Sequence, residues 1–250
     1  MARSVRDDGI FDEQVAAGYD DPDDPWFAPA AIEPVVDLIS DLAGGGRALE
    51  LAIGTGRIAL PLAARGVDVH GIELSRAMVA RLREKPGGDR IDVSIGDMST
   101  TRVVGTFAVV YLVFNTIMNL TTQEAQIACF ANAASHLAPG GRFVVEVMVP
   151  QLRRLPPGQM IHPFHVGDDH LGLDEYDVVT QGLVSHHVAF RDGRAERSAV
   201  PFRYVWPSEL DLMARLAGMA LEHRWGGWRR EPFTAESTDH VSVWQVQADA

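Results

Sequence analysis

Lysine is almost absent from this chain of 250 residues. Lys85 is the single one, arginine supplies the rest of the positive charge, and an excess of acids leaves a formal net charge of −12. Such a surface repels a polyanion, which argues against a nucleic-acid partner. Cysteine is equally scarce. Cys129 stands alone in a helical pattern, so neither a disulfide framework nor a cysteine zinc cage can form, and it reads as a small apolar core residue. The first nine residues, MARSVRDDG, lack an apolar signal core, and the longest apolar run, Phe107 to Phe114, is far too short to cross a bilayer. No internal repeat or low-complexity tract is present. These absences lead to the expectation of a cytoplasmic protein without membrane contact, long enough for one α/β core with an insertion.

What is there centres on residues 47 to 59, RALELAIGTGRIA. A short apolar strand breaks at Gly54-Thr55-Gly56 into a helical pattern. Glycines at such a turn let a ligand lie against the main chain, and the following helix presents free N–H groups. Gly54-x-Gly56-x-x-Ala59, with Glu73 about 20 residues on, satisfies a dinucleotide fingerprint, which keeps a nicotinamide-dependent oxidoreductase open as an alternative. Glu50 counts against it. A carboxylate beside the loop repels a pyrophosphate but attracts a ligand that carries cationic groups.

Extended backwards, Glu50-x-Ala52-x-Gly54-x-Gly56 resembles the first motif of the class I S-adenosylmethionine-dependent methyltransferases, acid-x-Gly-x-Gly-x-Gly. Ala52 departs from the usual glycine and crowds the methionine end by one methyl group. The resemblance implies an α/β, Rossmann-like fold with a seven-stranded, mostly parallel sheet, the last strand antiparallel, and helices on both faces. It implies S-adenosyl-L-methionine as cofactor, with Glu50, Ala52, Gly54 and Gly56 at its methionine end and Glu73, followed by Leu74, at the ribose. Gly96-Asp97-Met98 matches the step that holds the adenine, Asp97 taking the exocyclic amine and Met98 covering the ring. Tyr19-Asp20 matches the end of an N-terminal helix that folds over the cofactor. Val113 closes the central strand on the same cofactor, and Phe114-Asn115-Thr116 faces the transferred methyl. Leu137-Ala138-Pro139-Gly140-Gly141 is also frequent in the family. The likeness is specific over 47 to 149, general from 207 to 246, and thin between.

Around this core the patterns divide the chain into an N-terminal helical cap (1–46), a cofactor-binding core (47–149), an antiparallel lid insertion (150–206) and a C-terminal part of the core (207–250). The cap opens acidic, with aromatics at Tyr19, Trp26 and Phe27 that argue for docking. Pro29 to Leu42 has one apolar helical face stopped by three glycines. Strands are expected over 67–73, 91–95, 107–113 and 142–149, with helices from Arg57 to Arg65, after Ser75, and from a capping box at Thr121–Glu124 to Leu137. The insertion predicts three strands, 173–180, 182–190 and 195–205, the last two joined by an Asp192-Gly193 turn. A capped helix from Pro207 and two strands, 221–228 and 240–246, complete the pattern. Trp225-Gly226-Gly227-Trp228-Arg229-Arg230 either lines an acceptor pocket, contacts the second subunit of a homodimer, or packs in the core.

Methyl transfer from a sulfonium needs placement of the nucleophile more than any catalytic group. A base helps when the acceptor must lose a proton, and histidine titrates in the useful range. His162, His165, His170, His186 and His187 all fall in the insertion; His165 is the preferred base, with Tyr204 and Asn115 orienting the acceptor. A metal cluster of His162, His165 and His170 with Asp168 and Asp169 is disfavoured, because their loop defines no ligand face. The segment Val113-Phe114-Asn115-Thr116 lacks the Asn/Asp-Pro-Pro-aromatic motif of nucleobase and glutamine methylation, so the expected partner is a free small molecule. A non-catalytic module that keeps the fold for binding only is the other alternative.

Overall fold

A computed structural model describes residues 9–21, 24–191 and 194–247. The Asp192-Gly193 turn and, of the acidic start, Asp7, Asp8 and Asp23 lie outside the described residues. The chain begins with α1 (Glu13–Ala17), whose first N–H groups are accepted by the Asp12 carboxylate. Next, α2 (Pro29–Ala43) starts on a proline at its first turn and stops at Gly44, whose φ of 54° ends the helix in the left-handed region.

A seven-stranded sheet follows: β1 (Ala48–Leu51), β2 (Val69–Glu73), β3 (Asp92–Ile95), β4 (Phe107–Leu112) and β5 (Leu137–Met148), then β10 (Met219–Trp225) and β11 (Asp239–Val246). Its order is β10-β11-β5-β4-β1-β2-β3. All neighbours pair in parallel except β11, which runs antiparallel between β5 and β10. That reversed strand is the one the family resemblance implies. An all-parallel dinucleotide sheet has no place for it.

Side chains alternate across the sheet, so each face builds its own core. On one side Leu49, Leu51, Val110 and Phe143 meet α5 (Gln123–His136) and α6 (Pro207–Leu216) through Phe130, Leu210 and Met213. On the other, Ala48, Val109 and Val144 meet α2 and α3 (Ala59–Ala64) through Val35, Ile39 and Leu62, with Leu82 of α4 (Arg76–Glu84) beside them. Phe130, Phe143 and Trp244 make an edge-to-face set, with Phe130 5.0 Å from Phe143 and 5.3 Å from Trp244, a geometry aromatic rings favour. Trp225 and Trp228 pack against the second cluster, which favours the core reading of that segment.

Three local expectations need correction. The insertion holds four strands: β6 (Ile161–Val166), β7 (His170–Asp177), β8 (Gly182–Arg191) and β9 (Arg194–Arg203), in that order. The extra one, β6, contains Pro163, which removes an N–H and is tolerated because β6 is the sheet's edge. At the start of α5, Thr122 alone caps, its Oγ1 accepting from the Ala125 N–H at 3.1 Å, so no reciprocal box forms. Before α6 no side chain caps; Trp206 holds that position and Pro207 opens the helix. The 137–141 turn, for its part, belongs to the start of β5, paired through Leu137 with Phe107 across a register shift.

The small sheet is fixed to the main core at one end. Tyr176, Leu183 and Tyr204 are buried in the first cluster, and Arg203 pairs with Glu209 of α6 at 2.7 Å while bonding Gln126 and Gln181. The small sheet thus reaches, through β9, the carboxyl edge of the main sheet, where open α/β sheets bind ligands.

Candidate active site

After β1 the backbone takes left-handed turns at Ala52 (φ 55°), Gly54 (57°) and Gly56 (80°). Ala52 pays a steric penalty that glycine would avoid, about 1 kcal/mol. The Gly54 N–H donates to Glu73 Oε2 at 2.7 Å, and the Ser75 N–H donates to Oε1 at 2.9 Å. Together they pin the Glu73 carboxylate at the end of β2. Ser75 also accepts from the Met78 N–H at 3.0 Å and so starts α4 as expected.

Ala52, Gly54, Glu73 and Met78 border a cavity of about 330 Å³. Ala52 and Gly54 lie on one side, Glu73 and Leu74 on the next, Asp97 and Met98 beyond them. Asp97 Oδ1 is engaged by the Ser99 N–H at 2.7 Å and its hydroxyl at 2.6 Å, which orients the carboxyl group. Tyr19 and Phe11 of the N-terminal segment close the cavity from above, their rings edge to face at 6.1 Å. That segment is fastened to the glycine turn. The Thr55 hydroxyl donates to Asp20 at 2.6 Å, Lys85 Nζ lies 2.7 Å from the same carboxylate, and Lys85 also donates to the Thr55 carbonyl at 2.8 Å. The single lysine of the chain is therefore spent on holding the cap to the loop.

A smaller chamber of about 40 Å³ adjoins it, sharing Tyr19, Ala52, Gly54 and Thr116 with the larger cavity and adding Glu50, Arg57, Val113 and Phe114. Glu50 is 4% exposed. Burial pushes its carboxyl up to about 8, against the pull of the Tyr111 hydroxyl, which donates at 2.9 Å, of Arg57, and of the Ala59 N–H at the start of α3. A neighbouring carboxylate, Glu146 of β5, accepts from the Phe114 N–H at 2.7 Å and from Trp228. Burial raises it as well.

Of the ten cofactor residues expected from the sequence, nine border these two spaces. Gly56 does not. A Cβ there would lie 2.3 Å from Leu82 Cδ1, so that glycine serves the packing of the loop on α4. The three expected catalytic residues are not brought together. His165 is exposed on β6, tilted against His170 at 5.0 Å between ring centres, and borders neither space. Tyr204 is 2% exposed and faces Tyr176 and Trp206. Asn115 turns its Oδ1 to the Met148 N–H at 2.6 Å, an internal brace between the ends of β4 and β5. His170 and His187 bond each other at 3.0 Å, and His186 meets Glu175 at 3.0 Å. Among the described residues no group of three or more His, Cys, Asp or Glu is placed to hold a metal ion.

Sequence reasoning missed Arg57, Phe11, Asn119 and Pro201, whereas Thr116, expected to face the transferred methyl, borders both spaces. Arg57 was visible directly after Gly56, but its direction was not. Pro201 comes from β9, the lid strand that reaches the cavity.

Comparison with known proteins agrees with this geometry. Residues 48–141 match a family model described as a methyltransferase domain. The CcbJ methyltransferase of Streptomyces caelestis superposes with a TM-score of 0.84 at 34% identity, covering 97% of this chain and 100% of that one. The cypemycin N-terminal methyltransferase of a Streptomyces species is 26% identical over 97% of this chain and 100% of its own length. The dTDP-3-amino-3,4,6-trideoxy-alpha-D-glucopyranose N,N-dimethyltransferase of Streptomyces venezuelae is 30% identical over 64% of this chain and 62% of its length. With the reversed strand, the acid-led glycine turn and a full-length relative all in agreement, this chain belongs to the class I S-adenosylmethionine-dependent methyltransferases.

Proposed function

We propose that this enzyme methylates an amine nitrogen of a free small molecule. One observation carries the choice of nitrogen: the polar side chains that border the two spaces at the glycine turn are carboxylates, hydroxyls, the Asn119 amide and the Arg57 guanidinium, and among the described residues no histidine, lysine or cysteine borders them. A hydroxyl acceptor needs a base to release its lone pair, whereas a neutral amine already presents one. Two relatives support the same reading, one named for N-terminal methylation of cypemycin and one for N,N-dimethylation of a dTDP-3-amino sugar. The net charge of −12 favours approach of a cationic amine over an anion, the amine giving its proton to water before its lone pair reacts.

The residues present suit the cofactor. Glu73, held by two backbone N–H groups, offers lone pairs to a ribose diol, and Asp97 and Met98 suit an adenine edge and face. S-adenosylmethionine supplies a methyl group on a sulfonium, which leaves as a neutral thioether when the acceptor's lone pair displaces it. The chain's own task is alignment. Tyr19 lines both spaces and Phe114 the smaller one, and the cap held by Asp20 and Lys85 keeps water from the reacting line. In this reading residues 1–46 cap the cofactor, 150–206 cover the acceptor through Pro201, and both belong to one methyltransferase domain at work in the cytoplasm. No helix among the described residues is long and apolar enough to cross a membrane.

The test is transfer of a labelled methyl group to matched pairs of acceptors, amino sugars and terminal-amine peptides against their hydroxyl counterparts. Label in the amines alone supports the proposal. Label in the hydroxyl compounds at equal rate refutes it.

A further inference from the structure

Among the described residues, Arg57 is the charged side chain of the small chamber that is left without a close acceptor. Its guanidinium lies between two rings, 3.4 Å from the centre of Phe114 and 4.5 Å from that of Phe27. Among the described residues it makes no ion pair within 4.0 Å, and its one side-chain hydrogen bond, to the Trp26 carbonyl, is long at 3.5 Å. The other well-shielded arginines differ. Arg203 is held by Glu209, and Arg224 by Asp211, each at 2.7 Å. A guanidinium carries five N–H donors in a rigid fork, and one kept from water without an acceptor is costly. Burial already depresses its basicity, with Glu50, Asp24 and Glu146 opposing from a distance. Stacking between two rings fixes the plane and leaves the edges free to donate, the arrangement suited to a planar anion.

We infer that Arg57 anchors the α-carboxylate of the cofactor's methionine, donating to both its oxygens from within the Phe27–Phe114 clamp. The charges of the chamber sort themselves on this assignment. Glu50, on the strand side, takes the ammonium group, and Arg57, under the cap, takes the carboxylate. The sulfonium stays nearer Thr116, where both spaces meet and no guanidinium repels it. Since Phe27 belongs to the cap and Phe114 to the end of the central strand, closing the cap and orienting Arg57 are one event. The inference rests on the cofactor assignment above and adds the group that reads its amino-acid end.

Two ligands separate the roles. S-adenosylhomocysteine carries the amino-acid head, whereas 5′-methylthioadenosine keeps the nucleoside and thioether without it. Both are titrated calorimetrically into wild type, Arg57→Met and Arg57→Lys, each first shown by thermal melting to be folded. Loss of a bidentate charged contact should weaken S-adenosylhomocysteine about 10- to 100-fold in Arg57→Met. Methylthioadenosine should stay within about twofold, and Arg57→Lys should recover part of the loss. Equal weakening of both ligands would overturn the inference, since it would make Arg57 a support of the loop. Unchanged S-adenosylhomocysteine affinity with a raised KM for the acceptor would overturn it too, by giving the guanidinium to the acceptor. Failure of wild type to take up S-adenosylhomocysteine would instead sink the cofactor assignment itself.

Discussion

Glu50 should lose a proton when the cofactor binds. Without ligand its carboxyl is held up to about 8 by burial, despite the Tyr111 hydroxyl, Arg57 and the Ala59 N–H. At pH 7 roughly nine in ten molecules then carry the proton, because the pH lies about one unit below the pKa. An ammonium and a sulfonium entering the adjacent chamber favour the ionised form, so nearly one proton should leave per site. Removing it costs on the order of 1 kcal/mol at pH 7 and roughly twice that at pH 6, since each pH unit below the pKa adds about 1.36 kcal/mol. S-adenosylmethionine affinity should therefore rise close to tenfold per unit between pH 6 and 8 and level off above. Calorimetry in two buffers of different ionisation enthalpy reads the proton directly. Glu50→Gln should abolish both the release and the slope, and its deficit against wild type should shrink as pH falls toward 6, where wild-type Glu50 is itself neutral. The sign for stability follows the same linkage. A carboxyl whose folded pKa lies above its unfolded one weakens the ligand-free fold progressively from about pH 4.5 to 8, so at pH 8 Glu50→Gln should be more stable than wild type by roughly a few kcal/mol and melt at a higher temperature. Buffer-independent enthalpies and a flat affinity profile would refute the reasoning.

Other expectations concern separate parts of the fold. Ala52→Gly removes the left-handed strain at φ 55° and should stabilise the protein by about 0.5–1 kcal/mol, raising the melting temperature by roughly 1–4 °C. Asp20→Asn or Lys85→Met unfastens the cap from the turn and should raise the KM for S-adenosylmethionine several-fold with a smaller effect on kcat, as steady-state kinetics would show. Arg203→Met strands Glu209 where the lid meets α6 and should cost about 3–5 kcal/mol in denaturant unfolding. Burial alone would raise Glu209, but hydrogen bonds from Gln181, Arg203 and Gln123 outweigh it and hold its pKa below the usual value. Its contribution is thus present above the unfolded carboxyl pKa and lost as pH falls through the lowered one, and Glu209→Gln should flatten that acid limb. His165→Ala should leave kcat within about twofold, since the ring is exposed on β6 and borders neither space.

The core was legible because its signals are local. Glu50, Gly54 and Gly56 mark a turn that any chain with that spacing must make, and Glu73, Asp97 and Ser75 stand at strand ends fixed by short apolar runs. What stayed hidden depends on distant partners. His165 was read as a base because histidines are numerous in the insertion, yet the pairing of β6 with β7 turns it outward, a register that no local pattern encodes. Pro163 disguised β6 itself, since a proline in a strand is tolerated only at an edge and the edge is a property of the whole sheet. Arg57 was invisible as a ligand group for a related reason. Its direction is set by Phe27 from the cap and Phe114 from the central strand, neither of them its neighbour in the chain.

A crystal structure of the S-adenosylhomocysteine complex tests the central claim most directly. The ribose diol should lie on Glu73, the adenine between Asp97 and Met98, the amino-acid head in the small chamber, and the sulfur should be directed toward Phe114 and Thr116. Density for the ligand elsewhere, or a Glu73 carboxylate turned away from the ribose, would contradict it.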